Sequence, residues 1–173
     1  MDKERFLSAQ TGYCNILLNG SVILPPILAP FYCSTPIIPL GKKCGGIRPI
    51  AVGEIDRRLV SKIACKAALP TAKAHFEPTQ HGVGVEGGAE AIVHAINVLI
   101  DHLDTSSSEP VYVLKVDLKN AFNMVNRETF FEQVRLVCPS ISSYIEFCYT
   151  DPALLFLADY ILYSFTGVQQ VIH

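Results

Sequence analysis

The chain has 173 residues and a mass of 19.0 kDa, which suits one compact domain or one and a half small ones. Half of the residues are hydrophobic and 17% are charged, which excludes intrinsic disorder over most of the length. Because the formal net charge is −2, the bulk charge gives no reason to expect a nucleic-acid partner, and any such surface must be local.

The N-terminal segment, residues 1–35, is apolar and rich in proline, and it predicts a short apolar run followed by a loop. No charged residue lies between Phe6 and Gly41, but five prolines divide this stretch into pieces shorter than the roughly 20 residues of a membrane-spanning helix. The six cysteines form no CxxC pair, which favours reduced thiols. The chain also opens without the pattern of a signal peptide. We therefore expect no membrane contact and a location in the cytoplasm or the nucleus.

Two short strands around a glycine-rich turn predict a β-hairpin. The strands cover residues 37–40 and 47–52, and the turn between them carries Lys42 and Lys43. Glycine supplies the positive φ angles that such a turn needs. Because both strands contain proline, we expect them at the edge of a sheet or as a two-stranded extension.

Residues 54–69 predict a helix that ends before Pro70. One of its faces carries Arg58, Lys62 and Lys66, spaced four residues apart. Only Arg58 has an acidic residue four positions earlier, so the row is largely unpaired within the helix. A solvated face and a groove that holds nucleic-acid phosphates explain this row equally well.

A glycine-rich run precedes a second predicted helix, residues 89–103. Glycines at 82, 84 and 87 match the spacing of the dinucleotide-binding fingerprint, in which a strand delivers a helix N-terminus to a pyrophosphate. Residues 76–81 do not have the pattern of a strand. We therefore interpret the glycines as a flexible approach to the helix, with a dinucleotide site as an alternative.

Residues 111–116 form the most continuous β-branched segment and predict a central strand that is buried on both faces. Asp117 follows directly. A carboxylate at the end of a buried strand is costly unless a metal ion or a hydrogen-bond donor compensates it. Asp117 is therefore either a metal ligand or a capping residue of a strand-to-helix turn.

The remaining elements are two helices and a hairpin. We predict helices over residues 127–137, with Asn126 as N-cap, and 141–149, and a hairpin of strands 154–157 and 160–163. Helices and strands do not alternate regularly along the chain. This order favours an α+β fold over a doubly wound sheet.

Four ordered segments together resemble the reverse transcriptases of non-long-terminal-repeat retrotransposons, and the similarity covers about residues 37–170. The segments are Lys-Lys-Cys-Gly-Gly-Ile-Arg-Pro-Ile-Ala-Val-Gly-Glu-Ile-Asp-Arg-Arg-Leu from 42, Gln-His-Gly-Val-Gly from 80, Leu-Lys-Val-Asp-Leu-Lys-Asn-Ala-Phe-Asn-Met-Val from 114, and Ser-Phe-Thr-Gly-Val-Gln-Gln from 164. In order, they resemble the fingers hairpin with its following helix, a glycine-rich fingers segment, the first catalytic palm motif and the start of the next palm motif.

The resemblance implies the fingers and an incomplete palm of a right-hand nucleic-acid polymerase. The implied divisions are an N-terminal segment (1–35), the fingers (36–110), the first palm strand with its catalytic motif (111–126), the helices and hairpin between the palm motifs (127–165), and the start of the next palm motif (166–173).

The resemblance also implies a role for each matching residue. Asp117 would be the catalytic residue and the Mg²⁺ ligand, together with the carbonyl of Leu118. Phe122 would be the steric gate that crowds a 2′-hydroxyl and so favours deoxynucleotides. The implied dNTP-binding residues are Lys42, Lys43, Arg48, Leu118, Asn120, Phe122 and Gln170. Arg58, Lys62 and Lys66 would follow the backbone of an RNA or DNA template-primer.

The sequence departs from the family after Gln170. In the family the glutamine pair is followed by Gly-Asp-Pro and later by two adjacent aspartates, whereas here Val171, Ile172 and His173 follow. Two-metal phosphoryl transfer needs several carboxylates, and Asp117 supplies one.

We therefore expect weak Mg²⁺ binding and a catalytically incomplete fragment that does not polymerise DNA. We also expect an exposed palm-strand edge that a partner chain could cover. The alternative hypothesis is a non-catalytic module that binds RNA or single-stranded nucleic acid.

Overall fold

A computed structural model describes residues 2–20, 24–43, 45–106 and 112–168. The chain divides into two compact units, each of which is described by itself below. The first unit comprises Met1–Ala68 and Asn120–His173, and the second comprises Leu69–Lys119. The predicted α+β class is confirmed, since helices and a four-stranded mixed sheet are both present.

The helices and strands follow one another without regular alternation. The α-helices are α1 (Lys3–Asn19), α2 (Ala29–Tyr32), α3 (Ile55–Phe76), α4 (Gly88–Ser106), α5 (Arg127–Val137) and α6 (Ser142–Tyr149). The strands are β1 (Thr35–Gly41), β2 (Ile47–Ala51), β3 (Ala153–Leu157) and β4 (Tyr160–Ser164). Short 3₁₀ turns cover Pro26–Leu28, Ala121–Met124 and Pro139–Ile141.

The sheet joins the two predicted hairpins in the order β2-β1-β3-β4. Within each hairpin the strands are antiparallel, whereas β1 and β3 run parallel and pair only at Thr35↔Leu155 and Pro36↔Phe156. The predicted edge position is therefore right for β2, whereas β1 lies between β2 and β3 and pairs with β3 at its first two residues. Beyond Pro36, β1 pairs with β2 alone and forms the predicted two-stranded extension.

The prolines of the first hairpin do not interrupt its hydrogen bonding. Pro39 lies opposite Pro49 in the register. Opposed residues in an antiparallel pair either exchange two N–H···O bonds or exchange none, so two prolines fit a position of the second kind.

The core of the first unit lies where α1, α2, α3, α6 and β3 meet. Its buried residues are Cys14, Leu17, Ala29, Cys33, Val60, Ala64, Tyr144, Phe147, Cys148 and Ala153. The Tyr144 hydroxyl is paired inside this core, 2.8 Å from the Ser61 hydroxyl. Burial of these side chains provides the hydrophobic stabilisation of the first unit.

The first helix was not predicted. Asp2 caps α1 through Glu4 N, and Cys14 and Leu17 are buried on it. The prediction of an apolar run and a loop over residues 1–35 was wrong for this part. The helix ends at Gly20, where a Cβ atom would lie 2.9 Å from Tyr144 Cα, so this close approach to α6 requires glycine.

The predicted end of the third helix was also wrong. Helix α3 continues through Pro70 to Phe76. Proline removes one backbone hydrogen bond at a cost of about 3 kcal/mol, but its fixed φ is compatible with a helix, so the turns on both sides can persist. Helix α5 has the predicted bounds, and Asn126 Oδ1 accepts from Thr129 N at 3.0 Å, as an N-cap does.

The strand predicted over 111–116 is not formed. Residues 112–118 have no regular secondary structure and are exposed, and Val111 lies outside the described residues. A β-branched segment becomes a strand only where a neighbouring strand accepts its hydrogen bonds. None of the described strands pairs with it. We expected an exposed palm-strand edge, and a partner chain that covers it, because of this strand. Without the strand, neither expectation has a structural basis.

Candidate functional site

A tight turn after Asp117 presents Phe122. Asn120 adopts the left-handed conformation, with φ 55° and ψ 36°, and its carbonyl accepts from Asn123 N at 3.0 Å and Met124 N at 3.1 Å. Asparagine is among the few residues that tolerate this conformation, which explains its place at the start of the turn. The Phe122 side chain is 49% exposed, so part of the ring faces solvent.

Residues 164–168 dock on this turn through their backbone. Val168 N donates to Phe122 O at 2.8 Å, and Gly167 N donates to Val125 O at 3.1 Å. Gly167 is buried with φ 76°, and a Cβ atom there would lie 2.6 Å from both Phe122 O and Asn123 Cα. Only glycine fits this approach, so the sequence Thr-Gly-Val determines how closely the two segments meet.

Arg127, in the first turn of α5, binds next to the junction between the tight turn and residues 164–168. Its Nε donates to Gly167 O at 2.9 Å, its Nη1 to Tyr149 O at 3.0 Å and its Nη2 to Ser164 Oγ at 3.1 Å. The guanidinium also lies 5.5 Å from the centroid of the Tyr149 ring, within cation–π range. Desolvation lowers the pKa of Arg127, yet a guanidinium stays charged at any physiological pH.

The sequence analysis missed Arg127. The sequence did contain an indication of its role. A cation at the first position of a helix interacts unfavourably with the helix dipole, so its presence there indicates a hydrogen-bond acceptor elsewhere in the fold. Its partners are backbone carbonyls and a hydroxyl, none of which stands out in a sequence. The residue therefore emerges only from the three-dimensional arrangement.

Asp117 and Leu118 belong to the second unit, whereas Asn120 and Phe122 belong to the first. Asp117 is exposed on the irregular segment 112–118. Within the residues that the structure describes, no group of three or more His, Cys, Asp or Glu side chains could hold a metal ion. A lone exposed carboxylate does not fit a resident Mg²⁺ site.

The expected phosphate-binding cations are exposed on the first hairpin. Its turn is closed by Lys42 N to Gly46 O and by Gly45 N to Lys42 O, both at 3.0 Å. Lys42, Lys43 and Arg48 are all exposed, and no ion pair involves them within the described ranges. Their charges are therefore open to an anionic ligand. Gln170, the remaining predicted contact, lies outside the described residues.

The basic row of α3 is exposed as well. Arg58, Lys62 and Lys66 lie in the part of α3 that belongs to the first unit. None of the three forms a salt bridge to a residue that the structure describes. The charges of the row are thus exposed, with no ion-pair partner among the described residues.

Two further polar residues of the first unit are buried, Arg57 and Thr35. Arg57 donates through Nη1 to Cys33 O at 2.9 Å and lies 5.8 Å from the centroid of the Tyr149 ring. Tyr149 therefore lies within cation–π range of two guanidinium groups, those of Arg57 and Arg127. The sequence analysis did not single out Arg57, because its burial follows from tertiary packing alone.

The glycine run does not have the context of a dinucleotide site. The element before it is α3, followed by turns, and α4 begins at Gly88. A side chain at Gly88 would collide with the carbonyl of His81. The glycine is therefore explained by a close backbone approach at the start of a helix, and the strand that the fingerprint requires is not found there.

No protein-family model matches the chain, and no match is found among curated proteins or solved structures. In the described parts of the chain, no helix combines the length and the apolar character needed to cross a membrane.

Proposed function

We propose that the chain is a reverse-transcriptase-like domain, of the lineage of RNA-directed DNA polymerases encoded by retrotransposons. It would comprise fingers and a partial palm and would be catalytically incomplete as the 173-residue chain. The observation that supports this most is the docking of residues 164–168 on the turn Ala121–Met124. These segments lie in two stretches that resemble motifs of the family, and Arg127, which follows the turn, donates to Gly167 O across 40 residues of sequence.

The local chemistry supports a nucleotide-binding role for this junction. The backbone of Phe122 is fixed by its hydrogen bond from Val168, while half of its side chain is exposed. An aromatic ring carried on a fixed backbone can serve as a wall for a sugar and crowd a 2′-hydroxyl. Lys42, Lys43 and Arg48 are open cations of the kind that bind a triphosphate. Under this proposal the chain acts in the cytoplasm or the nucleus with a template-primer.

Nucleotide titration followed by ¹⁵N NMR tests the proposal, since a 19.0 kDa chain is well suited to it. With millimolar dTTP we expect shifts at the amides of Asn120 and Phe122 and in the hairpin turn, and smaller shifts with UTP. Arg48→Gln should weaken the response, whereas Arg5→Gln on α1 should not. Equal responses to both nucleotides, or shifts confined to other residues, would refute it.

A second candidate is the non-catalytic nucleic-acid-binding module. The open charges of Arg58, Lys62 and Lys66 favour it, because unpaired surface cations release counterions from a phosphate backbone. This module would bind single-stranded RNA, and dTTP would cause no chemical-shift change at the Phe122 amide. Fluorescence anisotropy against salt concentration distinguishes the two candidates when it is combined with the nucleotide titration.

The basic row itself is tested by charge reversal. Lys62→Glu with Lys66→Glu should lower RNA affinity and flatten its dependence on salt, because fewer phosphates are neutralised. Lys3→Glu with Arg5→Glu on α1 is the control for a change in net charge alone. Equal losses in both double variants would leave the row without a specific role.

A further inference from the structure

Strand β4 is one edge of the four-stranded sheet, and its outer side has no neighbour among the described strands. Its residues, Tyr160–Ser164, include no charged residue, no proline and no glycine. The large side chains from 160 to 163 are between 44% and 71% exposed. Proteins usually protect such an edge, because its free N–H and C=O groups can pair with a strand of another chain.

The loop between β3 and β4 determines which backbone groups lie at this edge. Leu157 and Tyr160 oppose each other on either side of the two-residue loop 158–159. The pair that closes a two-residue hairpin is hydrogen-bonded, and such pairs alternate along the strands with pairs that exchange no bond. The N–H and C=O groups of Ile161 and Tyr163 are therefore directed away from β3, towards the free edge.

The opposite edge of the same sheet, β2, is protected in ways that β4 is not. Arg48 places a charge on β2, and Pro49 has no N–H group. Pro49 lies opposite Pro39, at a position that exchanges no hydrogen bond with β1, so its backbone is directed at the outer edge. Proline there removes a donor that an added strand would need. Strand β4 has neither a charge nor a proline, which favours an edge that another strand covers.

We propose that β4 pairs with β4 of a second copy of this chain, antiparallel and around a two-fold axis at Leu162. In this register Ile161 lies opposite the partner's Tyr163, and the reverse pair follows by symmetry. Both residues direct their N–H and C=O groups at the edge, so each of these pairs exchanges both of its N–H···O bonds. The sheets of the two copies thus join into one continuous sheet.

The sequence of β4 is complementary to itself in this register. Ile161 meets an aromatic residue, which is a stabilising cross-strand combination, and Leu162 meets the same residue of the partner. Asp159, the nearest charged residue, lies opposite the partner's Phe165, and the two Asp159 carboxylates are about 20 Å apart along the strands. This separation exceeds the Debye length of about 8 Å. A parallel pair would instead place the two carboxylates side by side, so charge favours the antiparallel dimer.

The dimer does not depend on the proposed function, since it rests on the sheet alone. Sedimentation equilibrium of the full chain up to millimolar concentration tests it. We expect a reversible equilibrium between the monomer and a species of twice its 19.0 kDa mass. A two-fold pair uses both free edges and closes, so open-ended aggregates are not expected. A chain that remains monomeric, or one that forms such aggregates, would overturn the proposal.

Hydrogen exchange of the unmodified chain locates the contact. The amides of Ile161 and Tyr163 should exchange more slowly as the protein concentration rises, because pairing engages their N–H groups. The amide of Ile47 should not change, since it lies two residues before Pro49 and so at the outer edge of β2. Concentration-dependent protection of residues 112–116 or of Ile47, without protection of β4, would contradict the proposed contact.

Charge at the two-fold axis provides a second test. Leu162→Lys places two lysines opposite each other, and we expect it to weaken dimerisation about tenfold or more, because like charges directly opposite are destabilising. Ile47→Lys adds the same charge to the other edge of the sheet and should leave dimerisation unchanged. Equal effects of the two variants would refute the contact at β4.

Tyr163→Pro keeps the proposal testable if Leu162→Lys fails to fold. Proline at this position removes an N–H group that is directed at the free edge and leaves the hydrogen bonds between β3 and β4 in place. We expect dimerisation about tenfold weaker or more, since one hydrogen bond is lost from each of the two symmetric pairs. A Tyr163→Pro chain that dimerises as the wild type does would overturn the proposal.

Discussion

Gly167 is the residue at which the close approach of the two candidate segments leaves no room for a side chain. It has φ 76°, and any Cβ atom would lie 2.6 Å from three backbone atoms of Phe122 and Asn123. Real Cβ atoms do not come this close to backbone, so a substitution must separate the segments. The junction therefore depends on the absence of a side chain rather than on a contact that a side chain makes.

We expect Gly167→Ala to lower the free energy of unfolding by about 1–3 kcal/mol, because the new methyl group adds strain at a positive φ and forces Val168 away from Phe122. Urea denaturation measures this change. Gly12→Ala is the matched control, since a Cβ atom there meets nothing within 4 Å and the position is helical. That control should be neutral or stabilising. A Gly167→Ala chain as stable as Gly12→Ala would contradict the described docking.

Arg127 is the second residue on which the junction depends. Arg127→Lys keeps the charge but cannot reach Gly167 O, Tyr149 O and Ser164 Oγ together. We expect a loss of about 1–3 kcal/mol of stability, since hydrogen bonds to charged groups are lost. Faster amide exchange at Gly167 and Val168 should accompany it. Arg5→Lys on exposed α1 should change neither quantity, and unchanged exchange in Arg127→Lys would rule out the clamp.

At the scale of elements, local signals predicted much of the fold. The turn glycines of the first hairpin and the Asn126 cap each act over a few residues, and β1, β2 and α5 formed where they were predicted. The strand predicted over residues 111–116 did not form, because a strand requires a neighbouring strand to pair with, and a local pattern does not show whether one is present. Helix α1 was missed because only Cys14 and Leu17 are buried on it, so its apolar pattern is faint.

Helix α3 contains a proline that its neighbours tolerate. Pro70 is exposed and lies inside the helix. We expect Pro70→Ala to stabilise the chain by up to about 3 kcal/mol, because the backbone hydrogen bond to Lys66 is restored and alanine favours helix. A higher midpoint of thermal unfolding would show this. Thr71→Ala, at the next exposed helical position, should change the midpoint far less, and a lower midpoint for Pro70→Ala would contradict an intact helix at this proline.

At the scale of the whole molecule, one part of the candidate site could be predicted from the sequence and another part could not. The turn Ala121–Met124 and residues 164–168 both lie in segments that the sequence analysis singled out, and hydrogen bonds join them within the first unit. The clamp of Arg127 and the buried hydrogen bond from Arg57 to Cys33 O could not be anticipated, since both join residues distant in sequence that meet through tertiary packing. Every residue has a backbone carbonyl, so a sequence pattern does not indicate which carbonyls accept hydrogen bonds from side chains.

The last prediction concerns what the chain does as a whole with a primer. In-line phosphoryl transfer needs carboxylates that space two metal ions. Asp117 is the single carboxylate of the two segments that resemble palm motifs, and it is exposed and outside any metal-binding group of the described residues. We therefore expect no primer extension with Mg²⁺ or Mn²⁺ on RNA or DNA templates, even where salt-dependent binding of the same template is measurable. Extension by the wild-type chain that disappears in Asp117→Ala, but persists in Asp159→Ala, would overturn the expected incompleteness and would at the same time identify Asp117 as a catalytic residue.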